Sequence, residues 1–221
     1  KEKIMINTDK LLELFIKNLH LIFGEKIIFI GLQGSYARGE ATENSDIDVV
    51  IILDKLTFEN LKSYGNMLDS MPEKHLFCGF ISGKEELEKW ADYDIFQFYH
   101  DPQAIDGNLD FIKHRADKNA AKKAIHSGAC NIYNACIHNF LHEKSGEILK
   151  HCYKAAIFVI QALIYHNKGI YLKTKKQLFN EADIAEKEII KTAAEPDNSG
   201  FEYASKILIE WSENLILNYS E

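Results

Sequence analysis

Apolar positions in the first half of the chain follow two alternating periods. Residues 9–23 carry Leu11, Leu12, Leu14, Phe15, Leu19 and Ile22 at helical spacing, with Thr8 or Asp9 as a cap and Gly24 as a stop. Residues 27–32 form a short Ile-rich run, and residues 47–53 are almost purely Val and Ile. Both predict buried strands. Residues 58–68 predict a helix that Met71-Pro72 stops. A third strand is predicted at 75–82 and a short helix at 85–90. A fourth strand is predicted at 94–99, where Phe96 and Phe98 alternate with Gln97. Asp101-Pro102 and Asp106-Gly107 then read as turns.

Beyond Phe111 the strand signals stop. Helical periodicity covers 116–142, 147–167, 175–192 and 201–218, with breaks at Lys168-Gly169 and across 195–200. Residues 155–164 are apolar on nearly every side, which predicts the central helix of a bundle. The expected fold is an α/β domain with a mixed sheet over 1–112, followed by an all-α helical bundle over 113–221.

One segment between the first two strands concentrates chemistry. Gly34-Ser35 opens a turn, Arg38-Gly39 follows, and Ser45 precedes Asp46-Ile47-Asp48. Free backbone N–H groups at such a turn suit phosphate, Gly34 admits close approach, and the Ser35 hydroxyl adds a donor. Residues two apart on a strand share a face, so Asp46 and Asp48 project side by side. Two carboxylates so placed repel unless a cation neutralises them. Mg²⁺, which takes carboxylate and substrate phosphate oxygens together, fits that pair.

Gly-Ser, ten residues, then Asp-x-Asp resembles the motif of the DNA polymerase beta-like nucleotidyltransferase superfamily. Within it the chain resembles the small bacterial branch that includes the kanamycin- and streptomycin-type aminoglycoside nucleotidyltransferases, with a helical C-terminal domain. The resemblance implies a Mg²⁺-dependent enzyme that moves a nucleoside monophosphate, AMP first, from ATP or another NTP to a hydroxyl on a small acceptor such as an aminoglycoside-like antibiotic. It assigns Asp46 and Asp48 to metal binding and catalysis, and Gly34 and Ser35 to the nucleotide. Arg38 and Ser45 become phosphate or structural neighbours. Arg38 has Glu40 and Glu43 as alternative surface partners, and Ser45 is a natural turn residue.

The third acid usual on the next core strand of that family is missing here, since residues 74–81 contain none. A base from the helical domain is the implied substitute, with Glu143, Glu147, His138 and His142 as candidates and His75 and Cys78 as alternatives on the third strand. Residues 166–175 resemble the helical-domain turn of the streptomycin-type enzymes, which makes Lys173 or Lys175 a candidate for the triphosphate. Two other functions compete: a protein-modifying adenylyltransferase, and a nucleotide-binding domain whose catalysis is impaired by the missing acid.

Charge narrows the partners. A formal net charge of −7 argues against a broad duplex nucleic-acid surface, which needs clustered Lys and Arg. The four cysteines show no zinc-ligand spacing and read as reduced thiols of a cytoplasmic protein. The opening residues do not read as a signal peptide, and the longest apolar run, 155–165, is too short to span a bilayer. A monomer or homodimer acting on a triphosphate and a small acceptor is expected.

Overall fold

The computed structural model describes residues 8–42, 45–194 and 200–220. The chain divides into two compact units. One comprises Lys1–Trp90 with Asp101–Phe111, the other Ala91–His100 with Ile112–Glu221.

The first unit is built on a four-stranded mixed sheet: β1 (Ile27–Leu32), β2 (Ile47–Leu53), β3 (Phe77–Gly83) and β4 (Gln103–Gly107), in the order β3-β2-β1-β4. β1 runs antiparallel to both β2 and β4, while β2 and β3 are parallel. A parallel pair needs a crossover, and helix α3 (Phe58–Ser70) supplies it. The Thr57 and Asn60 side chains box the start of α3. Together with α1 (Thr8–Phe23), α3 covers one face of the sheet. Phe15, fully buried, stacks on Phe77 with ring centres 4.5 Å apart and meets Tyr64 edge-on at 6.3 Å. Ile47, Val49, Ile51 and Leu53 of β2 belong to the same cluster. Val50 and Ile52, on the opposite face, are buried as well, so β2 reads as a continuous apolar run. Asp48 is its one residue that is not fully buried.

The fourth strand expected at 94–99 is instead a helix, α5 (Asp92–His100). Ile95 and Phe96 are adjacent and both buried, which a one-faced strand does not allow. Asp92 and Asp94 occupy the first turn, matching the helix dipole. The true fourth strand lies in the segment expected to turn. β4 is exposed at every position and therefore carries no apolar alternation. Its Asp106 faces His20 of α1 at 3.2 Å.

The second unit packs α5 with α7 (Lys118–His138), α8 (Gly146–Lys168), α9 (Lys175–Glu181), α10 (Ile184–Ala194) and α11 (Phe201–Tyr219). Small residues Ala121 and Ala129 on α7 are fully buried, and Val159 of α8 fills the space over Gly128. α8 is the central helix expected. Its 23 residues make it longer than the apolar run seen in sequence, with the length and apolar content of a membrane span. Leu149, Ala156, Ile160 and Leu163 spend that apolar content on the bundle core. Gln161, which interrupts the run, is buried and satisfied: its Nε2 donates to Leu172 O at 3.0 Å, and Tyr171 Oη donates to its Oε1 at 3.3 Å. Tyr153 Oη likewise donates to Ala204 O at 2.8 Å.

Two helix boundaries differ from the periodicity. α7 passes into a π-helical turn, Asn139–Glu143, where buried Asn139 exchanges two 2.9 Å hydrogen bonds with the Ser145 backbone. The run expected over 175–192 is two helices, because Ala182 is extended and the helix restarts at Ile184. Of the break expected over 195–200, residues 195–199 lie outside the described residues.

His100 is held in an aromatic setting, stacked on Tyr171 at 4.8 Å, with Nε2 3.2 Å from Ala116 O. Burial, and to a lesser extent the nearby Lys173 ammonium, lower its pKa below 6.5, against the opposing pull of the Ala116 hydrogen bond. The folded state therefore resists protonation. As pH falls below 6.5 the unfolded chain takes up the proton first and stability declines. Urea midpoints should drop between pH 7 and pH 5, and more steeply than in His100→Phe. Equal slopes in the two proteins would contradict this reading.

Candidate active site

The antiparallel pairing of β1 with β2 brings the end of one beside the start of the other. Gln33 N donates to Asp48 O at 2.8 Å and closes that pairing. The chain then turns at Gly34, with φ of 65°, into the single-turn helix α2 (Gly34–Arg38). The Asp48 carboxylate rests directly on Gly34, in the space that any Cβ at this position would enter. Glycine is thus required here twice, by backbone conformation and by the carboxylate above it. Ser35 sits half-buried in the first turn of α2. Gly39, also left-handed at φ 67°, ends α2 by donating to Ser35 O and Tyr36 O.

The return to β2 is a turn stitched by Ser45, whose Oγ accepts from Thr42 N at 2.9 Å. Arg38 Nε donates to Glu40 Oε2 at 3.1 Å, while Glu43, its alternative partner, lies outside the described residues. Asp46 is exposed and Asp48 half-buried. Asp48 lies between Ile47 and Val49, which face the α1–α3 core, so its carboxylate belongs to the opposite side of the sheet, and Asp46 stands just ahead of the strand.

On β3, Cys78 is the register partner of Asp48, and an exposed thiol therefore stands where a third acid was looked for. Among the described residues, no group of three or more His, Cys, Asp or Glu is arranged to hold a metal ion. Two carboxylates completed by substrate phosphates are nonetheless a sufficient donor set for Mg²⁺. His75 lies in the turn before β3, exposed, with Nδ1 3.6 Å from Glu73 Oε2. Beneath the sheet, burial and then Cys78 push the Tyr64 hydroxyl up to about 12, so it stays neutral at physiological pH. Asp101 reads from sequence as a turn residue and as an acid flanking the expected fourth strand, without matching the third-acid position. It is buried just before β4, whose Gln103 pairs with Leu32 at the same end of the sheet.

The remaining candidates belong to the second unit. Glu143 is exposed at the end of the π-helical turn, and Glu147 lies in the first turn of α8. The rings of His138 and His142 are 4.9 Å apart. Lys173 is half-buried near His100, and Lys175 begins α9.

Residues 12–87 match the family model described as nucleotidyltransferase domain, with the whole turn and both aspartates inside the match. The protein named "Putative protein adenylyltransferase MJ1379" from Methanocaldococcus jannaschii is 41% identical over 44 residues. That alignment covers 20% of this chain and 44% of the relative, so less than half of the relative's length is matched. Spectinomycin adenyltransferase AAD(9) from Enterococcus faecialis, solved with ATP and spectinomycin, superimposes with a TM-score of 0.58 over 96% of this chain and 100% of that one. At 12% identity it shares the fold. A nucleotidyltransferase-like protein from Exiguobacterium sibiricum 255-15 gives a TM-score of 0.38 at 9% identity, covering 94% of this chain and 75% of that one, too low to build on.

The contact between Gly34 and Asp48 yields a paired test. Gly34→Ala and Gly39→Ala each force alanine into a left-handed conformation, at about 1–2 kcal/mol. Space around Gly39 is open, whereas alanine at 34 must also displace the Asp48 carboxylate. Urea denaturation should show the larger loss for Gly34→Ala. Equal losses would mean that the carboxylate does not rest where described.

Proposed function

We propose that this protein is a Mg²⁺-dependent nucleotidyltransferase that moves AMP from ATP to a hydroxyl group of a small molecule. The observation that carries the reading is Asp48 seated on the glycine of a serine-bearing turn, with Asp46 two residues before it in the chain. The match of residues 12–87 to a nucleotidyltransferase domain supports it, as does a shared fold with a protein solved with ATP and spectinomycin.

In this reading Asp46 and Asp48 hold the divalent cation, and Gly34 and Ser35 receive the triphosphate. Arg38 and Ser45, engaged with Glu40 and Thr42, shape the loop that carries both groups. A divalent cation held by Asp46 and Asp48 would supply neutralisation of the triphosphate charge while the nucleoside monophosphate is transferred. The acceptor oxygen bonds to the α-phosphorus, the bridging P–O bond to the β-phosphate breaks, pyrophosphate leaves, and the hydroxyl gives up its proton. Asp48, half-buried and fixed by its seat, orients its oxygens without reorganising, which favours the transition state. Glu143 and Lys173 lie in the second unit, and the reading does not rest on them. An aminoglycoside or aminocyclitol is the first acceptor to try. ATP as donor and four free thiols suit a cytoplasmic setting.

A second reading has one observation in its favour. The archaeal relative, 41% identical over 44 residues, is named as a putative protein adenylyltransferase. In that case the acceptor hydroxyl belongs to a protein side chain.

Pyrophosphate release from ATP should depend on Mg²⁺ and on an acceptor. Loss of a metal-holding carboxylate removes about 3 kcal/mol or more of transition-state stabilisation, so Asp46→Asn and Asp48→Asn should each slow release by roughly a hundredfold. A mass gain of one AMP on a co-purified protein, with no small-molecule product, would favour the second reading. Turnover unaffected by either substitution would overturn both.

A further inference from the structure

The second unit contains a cavity of about 200 Å³ that the proposed transfer chemistry does not use. Its walls come from α5, α7 and α8, with Tyr171 of the segment after α8, all within this unit. Small residues make the space: Ala124 and Gly128 lie one turn apart on α7, and Ala155 and Ala162 stand on α8. At Gly128 the two helices are so close that a Cβ would collide with Val159. One charged side chain, Asp94, lines the cavity. Among the described residues its carboxylate has no ion-pair or hydrogen-bond partner, whereas the neighbouring Asp92 is paired with Arg115 and Lys123. Partial burial, with no cation to offset it, holds the Asp94 carboxyl above the usual carboxylate value. Asp94 is nevertheless exposed, which leaves it within reach of a ligand entering from solvent. Four aromatic side chains, Tyr93, Phe96, Phe158 and Tyr171, line the same space, the Phe96 and Tyr171 rings meeting edge-on at 6.0 Å. Aromatic ring faces carry negative potential and attract cations. Gln97, Ser127 and Asn131 add oxygens that accept hydrogen bonds.

We infer that this cavity is a binding site for a small organic ammonium ion, with Asp94 as its counter-charge and the aromatic side chains as its walls. Anions are disfavoured there, because no cationic side chain lines the cavity. Volume limits the ligand as well: drug-sized molecules fill roughly 300–1,000 Å³, so the occupant is smaller than these. The net charge of −7 favours the approach of cations over anions. The lining residues include neither Asp46 nor Asp48, so occupation needs neither Mg²⁺ nor nucleotide.

The test titrates the full chain, without nucleotide and in EDTA, by calorimetry at low salt. The probes are choline, ethanolamine and 3,3-dimethylbutan-1-ol, the last being choline's uncharged counterpart in shape. At least one of the two cations should bind, and the neutral alcohol should not. Asp94→Asn should weaken binding about tenfold, the scale of losing one charged partner. Asp94→Glu, which keeps the charge, should retain most of the affinity. Glu213→Gln removes an exposed carboxylate of the same unit that does not line the cavity, and should change nothing. Phe158→Leu should weaken choline binding severalfold through loss of a ring wall. Tighter binding of choline assigns a methylated ammonium held by the rings, and tighter binding of ethanolamine assigns a primary amine held by hydrogen bonds. Thermal melts of the variants check folding. The inference is overturned if neither cation binds, if the alcohol binds as well as choline, or if Asp94→Asn and Glu213→Gln have equal effects. These outcomes leave the transfer reading untouched, since that is tested by pyrophosphate release.

Discussion

The first unit turns on the contact between a carboxylate and a residue that has no side chain. Asp48 lies on Gly34 because β1 and β2 are antiparallel, with Leu32 paired to Val49 and Gln33 N bonded to Asp48 O. That single backbone pairing brings a glycine-serine turn and the Asp-x-Asp segment together from two places in the sequence. The hydrophobic core supports it from behind: Ile47 and Val49 are anchored among α1 and α3, which leaves the position between them, Asp48, on the other side. A slip of one residue in β2 would turn the Asp48 carboxylate into the core and Ile47 and Val49 out of it, so the core itself enforces the register.

The parts of this arrangement that were legible in sequence are those with a strong local signal. The runs at 27–32 and 47–53 are apolar enough to be strands in any context, and the Gly-Ser to Asp-x-Asp spacing lies between them. The helical half was readable from its period, and Gln161, which looked like an interruption, is a buried polar anchor for the loop after α8. What sequence concealed was decided by tertiary contacts. Residues 92–100 are rich in strand-favouring side chains, yet Phe96 is drawn into the core of the second unit and the segment is helical. β4 has no apolar pattern because it is exposed throughout, so nothing local announced it. Burial of Asp101 beside that strand was hidden for the same reason.

The missing third acid takes a definite form in the structure. The residue in register with Asp48 on β3 is Cys78, an exposed thiol, and the strand has no carboxylate to offer. Two carboxylates with phosphate oxygens can complete the coordination of one cation, but a second cation would lack protein ligands on this strand. Under the proposed function such a site is finished by its nucleotide, so that cation and triphosphate bind together and neither binds well alone.

That mutual dependence is directly measurable with Mn²⁺ as a paramagnetic substitute for Mg²⁺. In amide NMR spectra of the full chain, Mn²⁺ added with a non-hydrolysable ATP analogue should broaden the signals of Gly34, Ser35, Asp46 and Asp48 together, and Mn²⁺ alone should broaden them far less. Broadening centred elsewhere in the chain, or equal with and without the analogue, would contradict the account.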